Sequence, residues 1–175
     1  MNEEQNLVIK ALETALKMEE EGKKYYRESI QQCASKLSKE LLGWLADEED
    51  VHKHKFKKIY DSIAEKKGWP AFDLNERRDE WLRTNFKESI RADKPAAECK
   101  TDIYVMGKAM DLENKTYNFY TDRSNNSAYD TEKTFYLSVA REEMSHYLAL
   151  ADYREYLIDP AGYFVKSERH SLDGA

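Results

Sequence analysis

Cysteine, proline and glycine are scarce in this chain, and each shortage excludes something. Two cysteines, Cys33 and Cys99, are too few for a disulfide scaffold or a four-thiolate metal module, so a reducing cytoplasm is the expected setting. Three prolines and six glycines leave long stretches without a helix breaker. No apolar run approaches the ~18 residues that would cross a bilayer. The opening Met1-Asn2-Glu3-Glu4 is acidic where a signal peptide would carry a basic region. Basic residues are not in excess: the formal charge is -6, against the clustered positive surface that nucleic acid rewards, so neither nucleic acid nor membrane is an expected partner. What is abundant is charge, 35% of residues, beside 41% hydrophobic residues. In 175 residues that mixture describes one soluble helical domain with a sizeable core.

From Glu3 to about Ala34, Val8, Leu12, Ala15, Gly22 and Tyr26 recur at three-and-four spacing, which predicts an amphipathic helix. Ser35 to Ser38 is a short polar turn. A second helix is predicted from about Ser38 to Lys67 through Leu41, Leu45, Phe56, Ile59 and Ile63, stopped by Gly68-Trp69-Pro70. Residues 68–95 are less regular and are expected to cross the fold, with a short helix carrying Trp81, Leu82, Phe86 and Ile90. A third long helix should start near Asp93-Lys94-Pro95, with Asp93 as cap, and run to about Arg123. Ser124-Asn125-Asn126-Ser127 is a turn cluster, and a fourth helix follows from about Thr131 to Ile158. Two short connections and one long one make two helical hairpins joined by a crossover. The expectation is an all-α, ferritin-like four-helix bundle over residues 1–158, with a tail, 159–175, held to it by Tyr163 and Phe164.

Shifting the sequence by 94 residues overlays its polar core positions: Glu19 on Glu113, Tyr26 on Tyr120, Glu49 on Glu143 and His52 on His146. Each half thus reads Glu, a Tyr seven residues later, and Glu-x-x-His thirty residues after the first Glu. The apolar frame repeats too, with Ala15 on Ala109, Leu45 on Val139 and Ala46 on Ala140. Residues three apart share a helix face, so Glu49 with His52, and Glu143 with His146, can each grip one ion. Thirty residues divide into about half up one helix and half down the next, which brings Glu19 level with Glu49 and Glu113 level with Glu143. Four carboxylates buried together would repel one another and drift towards protonation. Two divalent cations would neutralise them with both imidazoles uncharged. Oxygen and imidazole donors without thiolate suit iron or manganese, and zinc as well. Any one of the six residues alone would read as an ordinary surface or capping residue; the matched set carries the assignment.

The stretches Met18-Glu19-Glu20-Glu21-Gly22-Lys23-Lys24-Tyr25-Tyr26, Glu49-Asp50-Val51-His52, Leu112-Glu113 through Phe119-Tyr120, and Glu143-Met144-Ser145-His146 resemble the rubrerythrin-like branch of the ferritin superfamily, as does the tail from Asp159-Pro160 to Tyr163-Phe164. The resemblance implies two bound iron ions reacting with peroxide or dioxygen in oxidative-stress defence, commonly in a homodimer. Two departures stand out. No rubredoxin module with paired cysteines is present, so electrons would come from a separate donor protein such as a rubredoxin. Rubrerythrins also carry an extra Glu three residues after the third-helix ligand, where this chain has Thr116.

The remaining candidates read more simply. Glu48 and Glu142 have Val51 and Ser145 three residues on, and Glu20 and Glu21 overlay Asn114 and Lys115; all four acids are expected in solvent. Tyr26 and Tyr120 either donate hydrogen bonds to ligand carboxylates or serve as plain aromatic core. Cys33 lies fourteen residues after Glu19 and Cys99 fourteen before Glu113, so antiparallel helices would bring them to one height. They form a redox thiol pair or, more simply, two small buried residues. His54 and His170 have no counterpart in the repeat and are expected to be exposed. The expected function is a di-iron carboxylate oxidoreductase reducing peroxide or dioxygen. The alternatives are a ferroxidase or iron-handling protein, and a non-catalytic metal-binding bundle.

Overall fold

The computed structural model describes residues 3–72, 81–93 and 99–165, which are helical apart from the connections, with no strand among them. The long helices are α1 (Glu3–Ile30), α2 (Lys36–Ala64), α4 (Lys100–Asn126) and α5 (Asp130–Ile158). Between the hairpins stands a short helix, α3 (Lys87–Ala92), entered through a π-helical turn at Leu82–Phe86. A last turn of helix, α6, covers 160–165. Helix α1 pairs along its length with α2, and α4 with α5, while α1 against α4 joins the two hairpins. This is a ferritin-like helical bundle.

The caps explain where the elements begin and end. Ser35 precedes α2 in extended conformation and its side chain accepts the Ser38 N–H, satisfying a donor of the first turn. The predicted run to Lys67 closes earlier, at Ala64, because Lys66 turns left-handed at φ 60°. Its N–H then donates to Ile63 O and that of Lys67 to Ser62 O, the paired bonds that finish a helix. The third long helix begins at Lys100 rather than near Asp93. Asp93 instead leaves α3 with extended backbone, its N–H donating to Ile90 O; the expected first turn at Lys94-Pro95 lies outside the described residues. Tyr163 and Phe164 do pack on Tyr156, with ring centroids 5.6 and 5.9 Å away, and the rest of the tail, from 166, lies outside the description.

Asp102, fully buried in the first turn of α4, was not singled out by pattern. Its carboxylate accepts the backbone N–H groups of Ala34 and Ser35 at 2.9 and 3.0 Å, fastening the α1–α2 turn to the second hairpin. Beside it the Tyr153 hydroxyl meets the side chains of Ser35 and Ser38 at 2.8 and 3.2 Å.

The core is divided. One apolar cluster gathers Tyr26, Leu41, Leu45, Ala46, Ala109 and Leu150 with their neighbours. The other holds Leu12, Ala15, Phe56, Tyr120, Val139 and Ala140. Along every long helix a residue of one cluster is followed, within a few positions, by a Glu or a Glu-x-x-His, and then by a residue of the other. A polar layer therefore crosses the bundle between two oily halves.

Candidate metal centre

Glu19 on α1, Glu49 and His52 on α2, Glu113 on α4, and Glu143 and His146 on α5 are all buried. They fall into two triplets, Glu19–Glu49–His52 and Glu113–Glu143–His146, within each of which one donor atom per residue lies within 4.8 Å of the others. The triplets adjoin: His52 Nδ1 is 3.3 Å from Glu19 Oε2 and 3.0 Å from Glu143 Oε1, and the two imidazoles stack at 5.8 Å. His146 Nδ1 lies 3.5 Å from Glu113 Oε2. Both histidines thus turn Nδ1 towards the carboxylates.

Position three after the α1 and α4 glutamates sets the space for the opposite carboxylate. A Cβ at Gly22 would sit 2.6 Å from Glu49 Oε1, so only glycine leaves that oxygen its place. The equivalent Thr116 uses its hydroxyl instead, which donates to Glu143 Oε2 at 3.2 Å and to the Glu113 carbonyl at 2.9 Å.

The tyrosines cross between halves. Tyr26 Oη donates to Glu113 Oε1 at 2.6 Å, and Tyr120 Oη donates to Glu19 Oε1. Each phenol therefore serves the glutamate of the other hairpin, seven residues along the repeat from its own. Burial first, and then the neighbouring glutamate charge, pushes both phenols well above their ordinary range, which keeps them protonated donors.

The carboxylates divide by environment. Burial, followed by the charge of Glu19, pushes Glu49 well up; burial and the charge of Glu113 do the same to Glu143. Burial also acts against Glu19 and Glu113, but hydrogen bonds from Glu49 and His52 in the first case, and the His146 charge in the second, pull them below their ordinary value. Burial opposes a charged His52 too, yet the Glu143 charge and the bond to Glu142 raise it.

Of the acids expected in solvent, Glu48 is withdrawn from it and Glu142 partly so. Glu48 is buried at 3% exposure. Glu142 Oε2 accepts from His52 Nε2 at 2.8 Å and from Lys55 Nζ at 3.0 Å. Despite burial, those two partners hold the Glu142 carboxyl down at about 2. A carboxylate on Nε2 fixes the tautomer that leaves Nδ1 facing the cluster, the outer support that metal-ligating imidazoles usually have. The sequence did hold a signal, since paired acids Glu48-Glu49 and Glu142-Glu143 recur in both halves; linear spacing could not show that Glu142 serves the histidine of the other half. Glu20, Glu21 and His54 are exposed as expected. Cys33 and Cys99 are both buried in one apolar cluster, and neither forms a disulfide. His170 lies outside the described residues.

The donor set fits a pair of hard or borderline cations. Glu49 Oε2 and Glu113 Oε2 are buried without a hydrogen-bond partner, and Glu143 Oε1 approaches His52 without the alignment of one. Buried carboxylate oxygens left this way are costly unless another group binds them. Four glutamates and two histidines, brought together from four helices, define a ferritin-like carboxylate protein. The sequence model of the Rubrerythrin family matches residues 10–153, and the chain belongs to that family of di-iron carboxylate proteins. No curated protein and no solved structure matches it. Among the described residues no helix is long and apolar enough to cross a membrane.

Proposed function

We propose that Glu19, Glu49, His52, Glu113, Glu143 and His146 hold two iron ions, and that the protein is an oxidoreductase reducing peroxide or dioxygen with electrons from a separate donor. The observation that carries this reading is the pair of matched triplets with unsatisfied carboxylate oxygens turned inward. Bound iron would supply the redox change and polarise the oxidant. The chain's own contribution is orientation and exclusion of water. Glu142 sets the imidazole of His52, Tyr26 and Tyr120 hold one oxygen each of Glu113 and Glu19, and the apolar clusters close the layer from both ends. Cytoplasmic residence, a homodimeric state and a role in oxidative-stress defence belong to the same proposal.

Thr116 supports a second reading. Its hydroxyl is committed to Glu143 where rubrerythrins carry a further glutamate, so Fe(II) itself as substrate, with dioxygen as oxidant, remains the ferroxidase alternative. Metal analysis of protein from iron-fed cells, beside a Glu49→Ala, Glu143→Ala double variant, tests the site. The expected result is two irons per chain, absent from the variant. Stopped-flow oxidation then separates the readings: faster reoxidation of the reduced protein by peroxide than by air supports the first and contradicts the second. A single zinc, or no metal, unchanged by the variant would leave a non-catalytic bundle.

A further inference from the structure

Between the halves of the repeat the polar layer is matched, but its surroundings are not. Trp44 on α2 overlays Ser138 on α5. The Trp44 ring meets His146 edge-on, with centroids 5.3 Å apart and planes at 89°. On its other side it stacks on Trp81 at 5.5 Å and 17°. Both tryptophans are only partly buried. A continuous run of conjugated rings therefore leads from a cluster imidazole to the protein surface in two contacts.

Trp81 is held there by design of the crossover. It stands immediately before the π-helical turn Leu82–Phe86, an uncommon conformation that recurs at functional positions. Phe86 supports its ring at 5.4 Å and rests in turn on Tyr153. The crossover thus brings to α2 a ring that the four-helix repeat does not supply.

We propose that the Trp44–Trp81 stack is the port through which an external one-electron donor reduces the centre. The inference rests on the reading of the site as a redox di-iron centre. Reduction of one hydrogen peroxide to two waters takes two electrons and two protons. The reduced centre supplies those electrons, and two single electrons from the donor, passed by way of Trp81, Trp44 and His146, restore it. The donor is a small electron-transfer protein or outer-sphere reductant, oxidised by one electron each time. The indoles act as the conducting contact and end each cycle unchanged. Other aromatic runs leave the layer, from Glu19 through Tyr120 to Phe119 at 5.5 Å or through Phe56 and Phe135 to Trp69 at 5.2, 5.4 and 5.8 Å, and from Glu113 through Tyr26 to Tyr25 at 5.8 Å. Each begins at a carboxylate rather than at an imidazole ring.

The test compares Trp81→Leu, Trp44→Leu, Trp44→Phe and Trp69→Phe in iron-loaded protein oxidised with ferricyanide, with metal content and melting temperature checked for each. Reduction by methyl viologen radical cation is followed by stopped flow. The expected result is reduction slowed by an order of magnitude in Trp81→Leu and Trp44→Leu, an intermediate rate in Trp44→Phe, and an unchanged rate in Trp69→Phe. Peroxide oxidation of the reduced centre keeps its rate in all four. Tryptophan emission gives a second readout: in Trp69→Phe, where Trp44 and Trp81 alone emit, iron binding quenches the emission strongly. Unchanged reduction in both leucine variants overturns the proposal, and so does faster reduction, the mark of a lid over the site. Slowing confined to Trp69→Phe would move the port to the path through Trp69 and overturn it equally. A centre that peroxide fails to oxidise defeats the peroxidase reading, while the ferricyanide-oxidised protein still decides the port.

Discussion

Glu142 shows how much one side chain can do without touching the metal position. Its carboxylate is held ionised by His52 and Lys55, and it fixes which nitrogen of His52 faces the cluster. Glu142→Gln keeps the shape and removes the charge, so metal affinity is expected to fall about 10–100-fold, read by competition with a chelator; an unchanged affinity would reduce Glu142 to a surface acid. Cys33 behaves in the opposite way, by withdrawal. Burial, and then the charge of Asp102, push its thiol up to about 12, so almost no thiolate exists near neutrality, and thiolate is the reactive form. Native protein at pH 8 should therefore resist iodoacetamide at Cys33, while denatured protein alkylates readily. Rapid native labelling, mapped by mass spectrometry, would revive the redox thiol pair. At this scale the sequence was partly legible. Glu-x-x-His at matched separation picked out six side chains that the fold brings together, because two residues three apart on a helix must share a face. Glu142 stayed hidden because its partner stands on another helix, a relation no spacing encodes.

The elements were legible where periodicity alone decides them. Leu12, Ala15, Leu41, Leu45, Phe56, Val139 and Ala140 mark the buried faces, and all are in the core. Boundaries depended on contacts instead. Lys66 ends α2 by adopting a left-handed backbone, a conformation its residue type does not advertise. Helix α4 starts at Lys100, and its first turn places Asp102 under the α1–α2 turn. That carboxylate accepts the turn's own backbone N–H groups, those of Ala34 and Ser35, and both lose their acceptor in Asp102→Ala. The expected cost is about 1–3 kcal/mol of unfolding free energy, measured by urea titration with the Tyr153→Phe variant as a milder neighbour. A loss near zero would mean that water replaces the carboxylate in full. The π-helical turn at Leu82–Phe86 had no sequence signature, since Trp81, Leu82, Phe86 and Ile90 suit an ordinary helix equally well.

For the whole molecule, metal loading and proton balance are one equilibrium. Without metal, burial and mutual repulsion keep Glu49 and Glu143 protonated well above the usual carboxyl range, and His52 keeps its proton against burial. Ligand oxygens and Nδ1 must be free of protons to bind, so loading near neutral pH expels protons and weakens as pH falls. Calorimetry in buffers of different ionisation enthalpy should give iron-binding heats that track the buffer; heats independent of buffer would contradict this.

The polar layer between the two apolar clusters has one more consequence, for alignment. Oily helix faces tolerate sliding by a turn, since one leucine can replace another against the same neighbour. Here a slip of one turn on any long helix would carry a glutamate into the Leu12–Phe56 half or the Tyr26–Leu41 half, far from its tyrosine and histidine partners. The layer therefore acts as a detent, costly to bury and for that reason able to hold four helices at a single height.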